Sequence, residues 1–131
     1  AYTYKFEDAL KKFTGSKYCT LVSSCTAGLH ISCIAIGFKK GDEVIVPSVT
    51  HTATAHAVEF TGAKAIICDV DQGTGNLTLE KILKKVTKKT KGIILVHMSG
   101  VSCELASIIS FCKKKKNYYF RRLCTWTWNI L

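Results

Sequence analysis

The chain has 131 residues, of which 47% are hydrophobic and 21% charged, a length and composition typical of one folded domain. One proline and nine glycines exclude collagen-like and proline-rich proteins, and no apolar run reaches the roughly 18–20 residues that a membrane helix needs. The net charge of +10 comes largely from the end of the chain, because residues 113–131 hold six basic residues and no acidic one.

Strands and helices are predicted to alternate along the first 112 residues. Apolar spacing of three to four residues, with glycines after several segments, predicts helices over residues 4–14, 29–36, 50–60, 78–86 and 104–112. Short apolar or alternating runs predict strands over residues 17–22, 44–46, 64–69 and 92–97. This alternation indicates a three-layer α/β fold, with a mostly parallel sheet covered by helices on both faces. Ligands of such sheets bind in the loops at the carboxyl ends of the strands, here residues 23–28, 47–52, 69–77 and 97–103.

The turn before the second predicted helix consists of small residues, Ser23-Ser24-Cys25-Thr26-Ala27-Gly28. Small side chains expose backbone N–H groups at the amino end of a helix, where the helix dipole favours an anion. The hydroxyls of Ser24 and Thr26 add further donors. The segment is neither a Walker loop nor a GxGxxG motif. It fits a phosphate-binding turn, and a simple helix N-cap by Ser24 or Thr26 explains the same residues.

Two other loops add polar groups to the same predicted edge. The segment after the strand 44–46 places His51 at the start of a helix, where its ring could stack on a planar ligand or could be a surface histidine near a cap. The run His97-Met98-Ser99-Gly100 follows another strand and indicates no particular chemistry by itself.

The cysteines predict a reduced protein without a metal site. Seven of them occur, at 19, 25, 33, 68, 103, 112 and 124, with no CxxC spacing, and the four histidines complete no zinc pattern. An odd number of cysteines with no secretory leader favours a cytoplasmic location. Most of them are expected to be small buried apolar side chains.

Three segments together resemble DegT-type sugar aminotransferases (DegT/DnrJ/StrS): the Ser23-to-Ala27 turn, Asp42-Glu43-Val44-Ile45-Val46-Pro47-Ser48, and Val96-His97-Met98-Ser99-Gly100. The resemblance covers about residues 4–112. It implies that residues 1–116 form part of the large domain of a fold-type I transferase. It also implies a homodimer and pyridoxal 5′-phosphate (PLP), used to convert keto-sugars, usually carried on a nucleotide, into amino-sugars.

The same resemblance assigns roles to particular residues. It implies that Thr26, with Ser24, Cys25 and Ala27 around it, binds the cofactor phosphate, and that His51 stacks on the pyridine ring. Family members often have Gly or Ala at the position of Cys25, and Asn where this chain has His56.

Residues 117–131 depart from the family pattern and lack helix or strand periodicity. The family has a strand here, then Glu-Asp, whose Asp pairs with the pyridine nitrogen, and later a Schiff-base lysine; this chain has neither residue at a matching position. One permitted set of codons for residues 117–128, shifted by one base, encodes Ile-Ile-Ile-Phe-Glu-Asp-Cys-Ala-His-Gly-Leu-Gly. The tail is therefore predicted to be out-of-frame sequence. The chain is expected to be a truncated family member with no catalytic residues, inactive alone, that binds PLP weakly or not at all.

Two other kinds of function are compatible with the sequence. One is a small nucleic-acid-binding protein, in which basic side chains of the tail contact phosphates and aromatic ones stack on bases. The basic residues are Lys113–Lys116, Arg121 and Arg122, and the aromatic ones Tyr118, Tyr119, Phe120, Trp126 and Trp128. Against it, residues 1–112 are nearly balanced, with 13 lysines and 9 acidic residues. The other is a structural fragment without a ligand. An exposed sheet edge predicts self-association in every case.

Overall fold

A computed structural model describes residues 2–115 and the backbone of residues 119–122. Its helices are α1 (Tyr2–Thr14), α2 (Cys25–Ile36), α3 (Ala53–Glu59), α4 (Leu79–Lys85) and α5 (Leu105–Lys114), with a short 3-10 turn at Met98–Gly100. Its strands are β1 (Glu43–Pro47), β2 (Lys64–Cys68), β3 (Thr90–Leu95) and β4 (Tyr119–Arg122). Across the described residues, no helix combines the length and the hydropathy that crossing a membrane requires.

The four strands form one parallel sheet in the order β2-β1-β3-β4. β1 lies inside the sheet, where Val44 aligns with Ala65 of β2 on one side and with Gly92 of β3 on the other. The chain returns from β2 through α4 to β3, which lies on the far side of β1. The predicted parallel sheet is thus confirmed.

Apolar side chains of β1 and β3 point alternately to two buried clusters, one on each face of the sheet. The first cluster joins Val44, Val46 and Ile94 to α2 and α3, through Leu29, Cys33, Ala57 and Val58. The second joins Ile45, Ile93 and Leu95 to α4 and α5, through Ile82, Ile108 and Cys112. Helices on both faces explain why these strands are almost continuously apolar. The three-layer architecture is confirmed.

The amino-terminal part of the chain differs from the prediction. Residues 17–22 form no strand and lie outside the sheet, because a strand requires a hydrogen-bonded neighbour and an alternating pattern supplies none. The backbone N–H of Leu21 donates instead to Glu7 Oε1 of α1 at 2.8 Å. α1 itself buries none of its residues. α2 begins at Cys25 rather than at Leu29, because Ser24 caps it.

The tail contains a strand that its sequence pattern does not indicate. β4 aligns Tyr119 with Gly92 and Arg122 with Leu95. Backbone hydrogen bonds to β3 define this pairing, and the Tyr-Phe pair at its start favours extended backbone. Residues 116–118 and 123–131 lie outside the described residues, and most of the predicted out-of-frame sequence lies there.

Candidate functional site at the carboxyl edge of the sheet

The amino end of α2 lies at the edge where the parallel strands end. Residues 37–42 connect the last turn of α2 to the start of β1, so that turn lies at the opposite edge. The 12 residues of α2 span about 18 Å at 1.5 Å per residue, close to the roughly 16–17 Å of the five-residue β1. Leu29 and Cys33 hold the helix against the first cluster. Residues 24–27 therefore open a helix at the carboxyl edge.

Ser24 is the N-cap of α2. Its backbone is extended, with φ −158° and ψ 160°, and its Oγ accepts a hydrogen bond from Ala27 N at 3.1 Å. The N-cap interpretation is therefore correct for Ser24, whereas Cys25 and Thr26 are exposed within the first helical turn. The amino end of a helix carries a partial positive charge, and Ala27 N there is already used by the Ser24 cap. An anion at this end would therefore be held by the helix dipole and the exposed hydroxyl of Thr26.

His51 lies in the segment between β1 and α3 and is exposed. Its Nδ1 accepts a hydrogen bond from Ala53 N at 3.1 Å, so the imidazole caps the first turn of α3 and carries its proton on Nε2 when neutral. Thr50 and Thr54 hydroxyls, 3.0 Å apart, tie the same segment to the helix. The ring is thus both a helix cap and an exposed flat surface at the carboxyl edge.

The loops after β1 and β3 diverge, although these strands are neighbours. The loop after β1 leads to α3 on the face that also holds α2, and the loop after β3 leads to α5 on the opposite face. In open parallel sheets, ligands usually bind at the carboxyl ends of two neighbouring strands whose loops diverge in this way. We call the residues expected to border such a site here, 24–27, 48–51 and 97–101, the switch-point crevice.

A buried residue that the sequence pattern does not single out shapes this edge. Asn76 is 3% exposed; its Oδ1 accepts from Met98 N at 2.9 Å, and its Nδ2 donates to Val101 O at 2.8 Å. His97 is buried as well, and its Nδ1 accepts from Cys103 N at 3.1 Å. Asn76 stands between Gly75 and Leu77 in a polar loop, where composition gives no sign of burial.

The buried thiols belong to the core. Burial raises the pKa of Cys33 to about 11 and also raises the pKa of Cys68 and of Cys112. They therefore stay protonated at neutral pH and pack as small apolar side chains. Within the described ranges, no three His, Cys, Asp or Glu side chains are grouped as a metal site requires.

Comparisons with known proteins agree with this architecture. The model of the DegT/DnrJ/EryC1/StrS aminotransferase family matches residues 1–120. The chain is 38% identical to GDP-perosamine synthase of Escherichia coli O157:H7 over 114 residues, which cover 87% of this chain and 31% of the synthase.

Solved structures give the same result. An aminotransferase from Psychrobacter cryohalolentis matches with a TM-score of 0.86 at 35% identity, over 92% of this chain and 30% of that one. NtdA from Bacillus subtilis, solved with its bound cofactor PMP (pyridoxamine 5′-phosphate), matches with a TM-score of 0.87 at 28% identity, over 95% and 30%.

The chain spans about 30% of the length of these relatives. The expected fold, part of the large domain of a fold-type I PLP-dependent transferase, is confirmed by the structural matches. The match to the family model also extends beyond the expected range of about 4–112. The chain belongs to the DegT/DnrJ/EryC1/StrS aminotransferase family.

Proposed function

We propose that this chain forms the part of a PLP-dependent sugar aminotransferase that holds the cofactor phosphate. Residues 24–27 would bind the phosphate, and His51 would lie against the pyridine ring. The observation that supports this most directly is the start of α2 at Cys25, at the carboxyl edge, with Ser24 as its cap and Thr26 exposed. PLP, when bound, supplies an electron sink for carbanion chemistry.

The expected affinity follows from these few contacts. A phosphate at a helix amino end gains up to about 2 kcal/mol in a favourable, partly buried geometry. A hydrogen bond to a charged oxygen adds about 1.5–3 kcal/mol. Association also costs translational and rotational freedom, so a total near 4 kcal/mol is an upper limit and the Kd is about 1 mM or weaker. We therefore expect these residues by themselves to bind the cofactor weakly.

Binding is best tested with pyridoxine 5′-phosphate. This probe has the ring and phosphate of PLP without the aldehyde, which would react with exposed lysines anywhere on the chain. We expect the backbone amide NMR signals of residues 24–28 and of His51 to shift on titration, with a midpoint at about 1 mM or above. Pyridoxine, which lacks the phosphate, should leave them unchanged. Shifts confined to other elements contradict the proposal.

The same change, Thr to Val, at the start of two different helices separates phosphate binding from helix capping. Thr26→Val removes an exposed hydroxyl from the first turn of α2 and should lower the affinity for pyridoxine 5′-phosphate several-fold. Thr78→Val removes a hydroxyl at the start of α4, where Thr78 Oγ1 accepts from Lys81 N at 3.4 Å. That change should lower stability and leave the probe's affinity unaltered. Equal affinities of the two variants contradict a phosphate site at Thr26.

The chain alone should not transfer amino groups. The resemblance places both the Schiff-base lysine and the carboxylate that pairs with the pyridine nitrogen outside the residues present here. Incubation with glutamate, PLP and a nucleotide-linked keto-sugar should therefore give no amino-sugar above the level of free PLP. Measurable turnover by the purified chain contradicts this statement.

Self-association is supported by the exposed aromatic side chains near the amino terminus. Tyr2, Tyr4 and Phe13 on α1 are 92%, 69% and 65% exposed, and Tyr18 is 77% exposed. Large exposed apolar side chains can form an interaction surface, and the family resemblance implies a homodimer. Sedimentation velocity should show a dimer that dissociates on dilution and is weakened by Phe13→Glu. A Phe60→Glu variant, altered at an equally exposed position just after α3, is the control.

The tail is proposed to be out-of-frame sequence. The family model stops matching at residue 120, shortly after the proposed shift begins. Sequencing the encoding DNA decides the matter, since codons for residues 117–128 that cannot encode Glu-Asp in the shifted frame contradict it.

A further inference from the structure

We infer that Asn76 is a positioning residue for the switch-point crevice, because it holds residues 98–101 in the conformation that borders the ligand. The inference rests on the proposed function, since the ligand in question is the phosphorylated pyridine bound at residues 24–27 and His51. Asn76 lies on a different loop from residues 24–27 and from His51.

The bridge made by Asn76 joins loops that follow two different strands. Asn76 follows β2, and its partners Met98 and Val101 follow β3, with β1 between these two strands in the sheet. The two loops lead to α4 and α5, which pack on the same face of the sheet. One buried side chain therefore connects the loops on either side of β1 across that face.

The conformation that Asn76 holds is strained. Ser99 has φ 49° and ψ 29°, a left-handed backbone that costs an L-residue about 1–2 kcal/mol. The two Asn76 hydrogen bonds lie on either side of Ser99, at Met98 N and Val101 O. A strained residue persists only where its surroundings fix it. The buried side-chain amide of Asn76 thus holds the exposed Ser99 in this conformation at the carboxyl edge of the sheet.

The loop that carries Asn76 is itself well fixed. Asp71 Oδ1 accepts from the Thr74 hydroxyl at 2.9 Å, from Thr74 N at 2.9 Å and from Gly73 N at 3.1 Å. These bonds lower the pKa of Asp71, first through the Thr74 hydroxyl, so the carboxylate is charged at neutral pH. Asp71 N in turn donates to Asn76 O at 2.9 Å. Hydrogen bonds within its own loop therefore hold the backbone of Asn76 in place.

Loss of the two Asn76 hydrogen bonds should be measurable before any ligand is added. In Asn76→Ala, we expect the Met98 amide to exchange with solvent about tenfold faster or more, because a hydrogen bond of ordinary strength is lost. Exchange of β1 amides reports global stability and corrects for any general loss. Gln72→Ala, at the exposed part of the same loop, should leave Met98 unchanged.

Binding of pyridoxine 5′-phosphate then tests the positioning role. Asn76→Ala should weaken it several-fold, since the loop must be ordered when the ligand binds. Adding Ser99→Gly should restore part of the affinity, and by more than its effect on global stability, read from β1 amide exchange, explains, because glycine adopts the left-handed backbone without the Asn76 hydrogen bonds. A merely structural residue would show no such rescue.

The outcomes separate the two proposals. A wild-type chain that does not bind the probe overturns the proposed function and this inference together. A wild-type chain that binds it, with Asn76→Ala binding equally well or exchanging Met98 at the same rate, overturns only the inference. Weakened binding that Ser99→Gly does not improve also counts against it.

Discussion

The replacement of Gly92 by alanine tests the packing of the sheet against α2 and α3. Gly92 lies in β3 and is buried. A Cβ atom built on it would lie 2.4 Å from Cζ of Phe38, 3.0 Å from Cε1 and 3.4 Å from Cε2. The tip of the ring thus occupies the space that a side chain would need. Close approach of a neighbour is one of the few reasons for glycine inside a strand.

The size of the effect follows from that overlap. Carbon atoms pack at about 3.5–4.0 Å, so the ring must retreat by about 1 Å. Phe38 is 8% exposed and shares the first cluster with Val44 and Ile94, which limits its movement. Overpacking of this kind costs about 1–3 kcal/mol, while alanine regains about 0.5–1 kcal/mol of backbone entropy relative to glycine. We expect a net loss of about 1–2 kcal/mol in the free energy of unfolding.

Equilibrium unfolding in urea measures this loss. Phe38→Leu replaces the ring with a shorter side chain. In that background Gly92→Ala should cost less than about 0.5 kcal/mol, and such coupling between two substitutions is typical of residues in contact. Gly73→Ala is the control, because its Cβ would meet only Asp71 Oδ1, at 3.4 Å, in an exposed loop. A Gly92→Ala protein as stable as the wild type, or an equal loss in both backgrounds, refutes the packing argument.

Three further predictions concern titration, capping and strain. Burial raises the pKa of Cys33 from 9.0 to about 11, so the protonated thiol contributes fully to stability below pH 9 and this contribution is lost as the pH rises to about 11. Urea unfolding should show that the free energy of unfolding declines by about 2–3 kcal/mol over this range. Cys33→Ala should reduce the decline. Ser24→Ala removes the cap of α2 and should cost about 1 kcal/mol in the same assay, and an unchanged stability would contradict the cap. Ser99→Gly should stabilise the chain by up to about 1 kcal/mol, and a loss would show that its left-handed backbone is not strained.

The sequence is most informative where a local signal is sufficient. The apolar runs of β1 and β3 predict strands buried on both faces, since helices cover each side. Ser24 is one of the two residues predicted to cap the second helix, and its Oγ does accept from Ala27 N. Residues 17–22 show the limit, because their alternation is genuine and yet no described strand pairs with them. β4 shows the converse, since it forms by pairing with β3 and not by its own pattern.

The candidate site shows what strand order adds to such signals. Sequence places the loops 47–52, 69–77 and 97–103 at one edge without saying which are adjacent. The order β2-β1-β3 makes the loops after β1 and β3 neighbours, and the packing clusters show that these loops lead to helices on opposite faces. The loop after β2 leads to α4, on the same face as α5, which follows the β3 loop. The buried Asn76 joins these two loops through Met98 N and Val101 O, and no local sequence pattern predicts a contact between residues so far apart in the chain.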